Sequence, residues 1–181
     1  TFFINFFKVL TIQKLSNNIW TCAISFVNWG GNPADVEKIF KIGKKYNIKI
    51  IQDSAHAFGS KLKGKDLSYY ADFTTYSFQA IKHLTTGDGG ALICKDKKDY
   101  LSARKLKWFG YDRDSVKNKK GEWKGQKWDA DIDEGHIGYK FNMNNISAAI
   151  GIVQLGFVDN IIKKNIRNAK IYLNAFKNSN I

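Results

Sequence analysis

Apolar and polar positions along this chain alternate in a way that lays out strands and helices in turn. Cys22 to Val27 (Cys-Ala-Ile-Ser-Phe-Val) is a short apolar run that predicts a buried strand, followed by the loop Asn28-Trp29-Gly30-Gly31. Pro33 suits the first turn of a helix, where its missing N–H does no harm. Val36, Ile39, Phe40 and Gly43 share one side of that helix, which is expected to run to about Tyr46. Ile48 to Gln52 is a continuous β-branched run, the mark of a central parallel strand. Strand, helix and strand in this order form a βαβ unit, which predicts a right-handed crossover and a parallel sheet.

Farther on, Phe73 to Phe78 and Gly90 to Cys94 read as strands, with the polar, glycine-ended loop Gln79 to Gly89 between them. Asp99 to Trp108 predicts a helix closed by Gly110. Asp112 to His136 lacks period and is charge-rich, so it reads as a long loop or lid. A helix begins at Asn144, and a last amphipathic helix shows Ile161, Ile162, Ile166, Ala169, Leu173 and Phe176. No internal repeat is visible, and no linker divides the chain. The opening run Thr1 to Ile12 is apolar but broken by Asn5 and Lys8. It is too short to span a bilayer and has neither the basic start nor the cleavage site of a secretory signal.

Composition changes this picture in three places. The 181 residues are 44% hydrophobic and 25% charged, so a folded α/β domain is expected rather than a disordered chain. The only methionine is Met143, so the chain starts at Thr1 without an initiator, and segment 1–21 reads as the ragged edge of something larger. The 29 Lys+Arg against 16 Asp+Glu give a net charge of +13, which raises nucleic acid as a partner. Only Arg104, Arg113 and Arg167 supply the guanidinium forks that base and phosphate readers favour. The cluster Lys117 to Lys127 carries Trp123 and Trp128, so a basic, aromatic strip for single strands is one reading of it. A solvated lysine-rich loop is the other, and it is preferred. Cys22 and Cys94 stand alone in apolar runs and read as buried thiols of a reducing compartment. No His, Cys, Asp or Glu cluster has metal-ligand spacing.

The candidate chemistry lies at the strand ends. Asp53, Ser77 and Lys82 each sit at or just beyond a predicted strand, and a parallel sheet brings such positions to one edge. A carboxylate, a hydroxyl and an amine there suit an aromatic aldehyde cofactor with a phosphate arm: the amine forms a Schiff base, the carboxylate holds a ring nitrogen protonated, and the hydroxyl binds phosphate. Taken singly, each has a plainer reading, as a solvated lysine, a turn-forming aspartate or a packed serine. His56 also reads as a packed histidine at a strand-loop junction, His83 as structural, and His136 has no assigned role. Gly87-Asp88-Gly89-Gly90 precedes a strand instead of opening a helix, so it reads as a tight turn and not as a phosphate-binding P-loop.

Longer stretches make these signals specific. Gln52-Asp53-Ser54-Ala55-His56-Ala57-Phe58-Gly59, Ser77-Phe78-Gln79-Ala80-Ile81-Lys82-His83 and Thr85-Thr86-Gly87-Asp88-Gly89-Gly90 occur in that order. Gly138-Tyr139-Lys140-Phe141-Asn142-Met143 then leads into Ala148-Ala149-Ile150-Gly151 and Gln154-Leu155. From about Trp29 to Leu155 the sequence closely resembles the DegT/StrS family of pyridoxal-phosphate-dependent nucleotide-sugar aminotransferases. The resemblance implies the three-layer α/β/α large domain of the aspartate-aminotransferase-like fold, incomplete at both ends. Residues 22–155 would form part of that cofactor-binding domain, and 156–181 a helix leading toward a small domain. The family's upstream cofactor-binding turn has no match before Trp29.

By that resemblance Lys82 forms the Schiff base with pyridoxal 5'-phosphate, Asp53 pairs with its pyridine nitrogen and Ser77 contacts its phosphate. Ala55 and His56 lie against the cofactor ring, and Gln79 stands near the substrate. Lys140 occupies a position where many members carry an asparagine that reaches the neighbouring subunit's cofactor phosphate, and Asn142 one where arginine or lysine is common. The implied reaction moves an amino group from glutamate to a nucleotide-linked keto-sugar for lipopolysaccharide or other glycan synthesis. It runs in the cytoplasm of the cell, in a homodimer, with no nucleic acid or membrane partner. The same fold hosts sugar 3-dehydratases, in which histidine replaces the lysine. Lys82 therefore favours amino transfer, while an inactive fragment stays a further alternative.

Overall fold

A computed structural model describes residues 23–110, 120 and 138–177. These fall into two compact units, one built from 23–93 with 144–177 and the other from 94–110, 120 and 138–143. The predicted opening segment 1–21, Cys22, His136 and nearly all of the loop 112–136, with Trp123 and Trp128, lie outside the described residues.

The first unit is organised on a sheet of order β1-β2-β5-β6, with β1 Ala23–Val27, β2 Lys49–Asp53, β5 Phe73–Ser77 and β6 Gly90–Cys94. Strands β1, β2 and β5 are parallel, as the βαβ pattern predicts, in the register Val27↔Asp53 and Asp53↔Thr75. β6 departs from the expected parallel array. Phe78, just past β5, donates to the carbonyl of Gly89, just before β6, so these strand ends are neighbours as in a hairpin. A twelve-residue loop with no helix of its own has no means of carrying the chain across a sheet face for a parallel return.

Helix α1 is Val36–Tyr46 and begins three residues later than Pro33 would place it. The carboxylate of Asp35 accepts from the Lys38 amide and caps the helix there, so Pro33 belongs to the approach. Asn47, left-handed at φ 52°, closes it and turns the chain straight into β2. Phe26, Val36, Ile39, Ile50, Tyr70 and Ala71 form the buried cluster between α1 and the sheet. Between β2 and β5 the chain makes a short antiparallel pair, β3 Lys61–Leu62 with β4 Lys65–Asp66, and a 3-10 turn Leu67–Tyr70, none of which its hydrophobic pattern announces.

Helices α3 (Asn145–Leu155) and α4 (Val158–Phe176) complete the unit, and a Cβ on Gly59 would run into Ile162 of α4. Among the described residues no single helix is long and apolar enough to cross a membrane; α3 and α4 taken together reach that length and composition only across a 61° bend. In the second unit α2 spans Lys97–Leu106, capped by Asp96 and not by the predicted start at Asp99. Cys94 is a free, half-buried thiol whose pKa is raised by burial and then by the Asp99 charge, so it is less enclosed than its apolar run predicts.

Candidate active site

Side chains along a strand alternate between faces, and in-register partners on neighbouring strands share a face. Ile50 and Gln52 of β2 and Thr74 and Tyr76 of β5 are buried. Asp53 therefore belongs to the other face, together with its partner Thr75 and, two residues on, Ser77. Asp53 and Ser77 stand at the carboxyl edge of the parallel strands, where the loops after β1, β2 and β5 meet.

Each loop is locally braced. Asp53 Oδ1 accepts from the Ala55 amide at 2.9 Å, bending the chain away from the strand and leaving Oδ2 without a partner among the described residues. Ser54 is fully buried: its amide donates to the Thr75 carbonyl, and its hydroxyl accepts from Asn28 Nδ2 at 3.0 Å. Asn28 Oδ1 in turn accepts from the Ala34 amide at 3.0 Å, so one buried amide ties the exit of β1, the approach to α1 and the exit of β2. His56 Nδ1 accepts a long bond, 3.4 Å, from the Gly30 amide. Trp29 meets the same ring edge-on with centroids 4.9 Å apart.

The loop after β5 folds back on itself. Ser77 Oγ accepts from the Gln79 amide at 3.3 Å, Gln79 Oε1 accepts from the Ile81 amide at 3.2 Å, and the Lys82 amide donates to the Gln79 carbonyl at 2.9 Å. The amide of Thr86 and the hydroxyl of Thr85 both donate to the Phe78 carbonyl. Gly90 is the tight point: a Cβ there would meet the Tyr76 carbonyl oxygen at 2.6 Å, which agrees with the turn reading of Gly87 to Gly90. Lys82 comes out of this loop half-buried, and its amine has no partner among the described residues.

His83 stands beside it with Nδ1 buried and without a partner among the described residues. Burial, then the Lys82 charge, then His56 hold its pKa below the usual histidine value, so the three side chains are within electrostatic reach of one another. On the opposite face of β5, Tyr76 donates to Asp66 Oδ1 at 3.1 Å. Burial first, and the Asp66 charge next, raise its pKa well beyond the ordinary phenol, so it stays protonated and structural.

Asp53, Ala55, His56, Ser77, Gln79 and Lys82 thus all belong to one edge of the first unit. Lys140 belongs to the second unit, where it is exposed and paired in a bridge with Trp108. Among the described residues no group of three or more His, Cys, Asp or Glu is arranged to hold a metal ion. Two neighbours of the site escape the sequence pattern. Trp29 lies twenty-seven positions from the ring it touches, and only a tryptophan in a post-strand loop hints at it. His83 has the single signal of adjacency to Lys82.

Residues 10–181 match the DegT/DnrJ/EryC1/StrS aminotransferase family. The chain is 38% identical over 160 residues to GDP-perosamine synthase of Escherichia coli O157:H7, covering 88% of this chain and 39% of that one. Its fold superposes on Helicobacter pylori PseC, an aminotransferase involved in the biosynthesis of pseudoaminic acid, with a TM-score of 0.73 and 28% identity, over 90% of this chain and 40% of that one. It superposes equally, at 0.73 and 27% identity, on the E. coli GDP-4-keto-6-deoxy-D-mannose-3-dehydratase carrying hydrated pyridoxal phosphate, over 87% and 41% of the two chains. The chain spans about two fifths of the length of the curated relatives it matches.

Proposed function

Because this chain belongs to the DegT/DnrJ/EryC1/StrS aminotransferase family, we propose that it is the cofactor-binding part of a pyridoxal-phosphate-dependent nucleotide-sugar aminotransferase. The observation that carries this reading is the unspent bonding capacity on one sheet edge: an open oxygen on Asp53, a hydroxyl on Ser77 that accepts but has no acceptor of its own, and the unpartnered amine of Lys82. A pyridine nitrogen, a phosphate and an aldehyde ask for those three groups, so the residues fit the cofactor.

When bound, pyridoxal phosphate supplies a conjugated ring that accepts the electrons left on carbon when a proton departs. Asp53 would hold the ring nitrogen protonated by keeping a carboxylate against it, which keeps the ring electron-accepting. Ser77 would donate to the phosphate, and Ala55 and His56 would lie against the ring. The Lys82 amine would hold the cofactor through its aldehyde, and it would move the proton at the donor's carbon as base and then acid. Gln79, exposed at the loop tip, faces the substrate.

On the same reading 22–155 is part of the large domain and 156–181 leads to a small domain. The amino donor is glutamate and the acceptor a nucleotide-linked keto-sugar of lipopolysaccharide or other glycan synthesis. The working unit is a cytoplasmic homodimer in which Lys140 meets the neighbouring subunit's phosphate as a point charge. The dehydratase neighbour shares the fold, so the residue at position 82 decides between the two chemistries, and a lysine there favours amino transfer. Assays of amino transfer and of water elimination on one keto-sugar separate them.

The direct test mixes the full chain with pyridoxal phosphate, reduces with borohydride and maps the adduct by peptide mass. The cofactor is expected on Lys82 and absent in Lys82→Ala. An unmodified Lys82, or trapping that survives that substitution, overturns the assignment.

A further inference from the structure

We propose, resting on the aminotransferase reading above, that Trp29 is a specificity-determining residue whose exposed indole is the platform for the sugar ring of the nucleotide-linked substrate. A single exposed apolar side chain is ordinary on a protein surface. Trp29 differs in how it is held. It is 73% exposed, yet its turn is fixed on every side: the Asn32 amide donates to the Trp29 carbonyl, the Gly31 amide to the Asn28 carbonyl, the Gly30 amide to His56, and the Ser60 hydroxyl to the Gly31 carbonyl. Gly30 and Gly31 take φ of +61° and +80°, and a Cβ on Gly31 would stand 3.0 Å from the His56 carbonyl oxygen. The turn and the His56 segment are therefore built as one piece. The Asn28 amide, one residue earlier, bonds the carbonyl of Asp53 itself.

This rigid placement has a chemical use. The keto-carbon of the sugar must reach the cofactor, whose ring lies against His56 on the reading above, and Trp29 touches His56. The substrate ring nearest to the indole is then the sugar, because the base lies beyond the diphosphate. A pyranose presents rows of C–H groups on its faces, and an aromatic face packs on them without consuming hydrogen bonds. A platform already fixed by its own loop orders the sugar at little entropic cost.

The test uses the full chain loaded with pyridoxal phosphate and GDP-4-keto-6-deoxy-D-mannose as probe. Binding is followed by calorimetry and amino transfer by steady-state kinetics. Trp29→Ala is expected to weaken probe binding and raise its KM roughly tenfold, in keeping with the loss of one stacked ring. The dissociation constant for pyridoxal phosphate, the KM for glutamate and the inhibition by free GDP are expected to stay unchanged. Trp29→Phe is expected to recover most of the loss. Unchanged probe binding in Trp29→Ala overturns the proposal. So does an equal loss of cofactor binding, which would make Trp29 a prop for His56, or an equal loss of GDP inhibition, which would put the base on the indole. A wild-type chain that binds the probe through Trp29 but takes no amino group from glutamate would instead overturn the aminotransferase reading.

Discussion

His83 shows how a single side chain records the chemistry of its surroundings. Its Nδ1 is buried without a partner among the described residues, and its pKa is depressed, by burial first and by Lys82 and His56 after that. A histidine whose folded pKa lies below its unfolded value near 6.5 favours folding in its neutral form. Above about 6.5 both states hold the neutral ring and its contribution is complete. As pH falls below that value the unfolded chain takes up the proton first, and stability drops until the folded pKa is passed. The wild-type chain should therefore lose urea resistance between about pH 7.5 and pH 5, and His83→Gln should lose less over the same interval. Carboxylates that titrate in both proteins cancel in the comparison, so equal losses would remove His83 as the cause. Because the cofactor would take up the Lys82 charge that contributes to the shift, the comparison is made on the chain without added cofactor.

At the scale of elements, α1 and β2 meet closely at Gly43. A Cβ on Gly43 would stand 2.6 Å from Ile50 Cδ1 and 2.9 Å from the Ile48 carbonyl oxygen. Replacing glycine by alanine inside a helix ordinarily gains about 1 kcal/mol. Overpacking a closed core costs about 1–3 kcal/mol, and neither a core side chain nor a backbone carbonyl moves aside cheaply. Gly43→Ala should then destabilise the chain by up to about 2 kcal/mol in urea titration, with the m-value unchanged; a gain in stability would show that the helix slides. This joint also marks the boundary of what was readable in advance. Periodicity located α1, β2 and β5 because burial of one face writes itself into spacing. Asp35 overruled Pro33 because capping is decided by one hydrogen bond. The β3–β4 pair was invisible because two-residue strands of lysine, leucine and aspartate bury almost nothing. The placement of Asp53, Ser77 and Lys82 at one edge was legible because strand ends announce themselves, whereas the meeting of Trp29 with His56 is a tertiary fact with no local trace.

For the molecule as a whole, two properties pull in opposite directions. The net charge of +13 opposes bringing two copies together. Against that, α3 has the sequence Asn-Ile-Ser-Ala-Ala-Ile-Gly-Ile-Val-Gln-Leu without one charged residue, and Ile146 and Ile152 are 77% and 73% exposed. A helix apolar on so much of its circumference is stable in water when another surface covers it. The homodimer proposed above would supply that surface, and salt tells it apart from the nucleic-acid reading of Lys117 to Lys127. Added salt screens the repulsion between two basic copies and leaves apolar burial intact, so self-association should strengthen between about 50 and 300 mM, as the Debye length shrinks from roughly 14 to roughly 6 Å. Binding to single-stranded DNA has the opposite sign, because each phosphate contact is weakened by competing ions. Sedimentation velocity across that range should show a growing dimer fraction, and Ile152→Glu should return the chain to monomer at every salt concentration. If association instead weakens with salt, or survives Ile152→Glu, then α3 is not the buried surface and charge, not apolar contact, governs how this chain meets its partners.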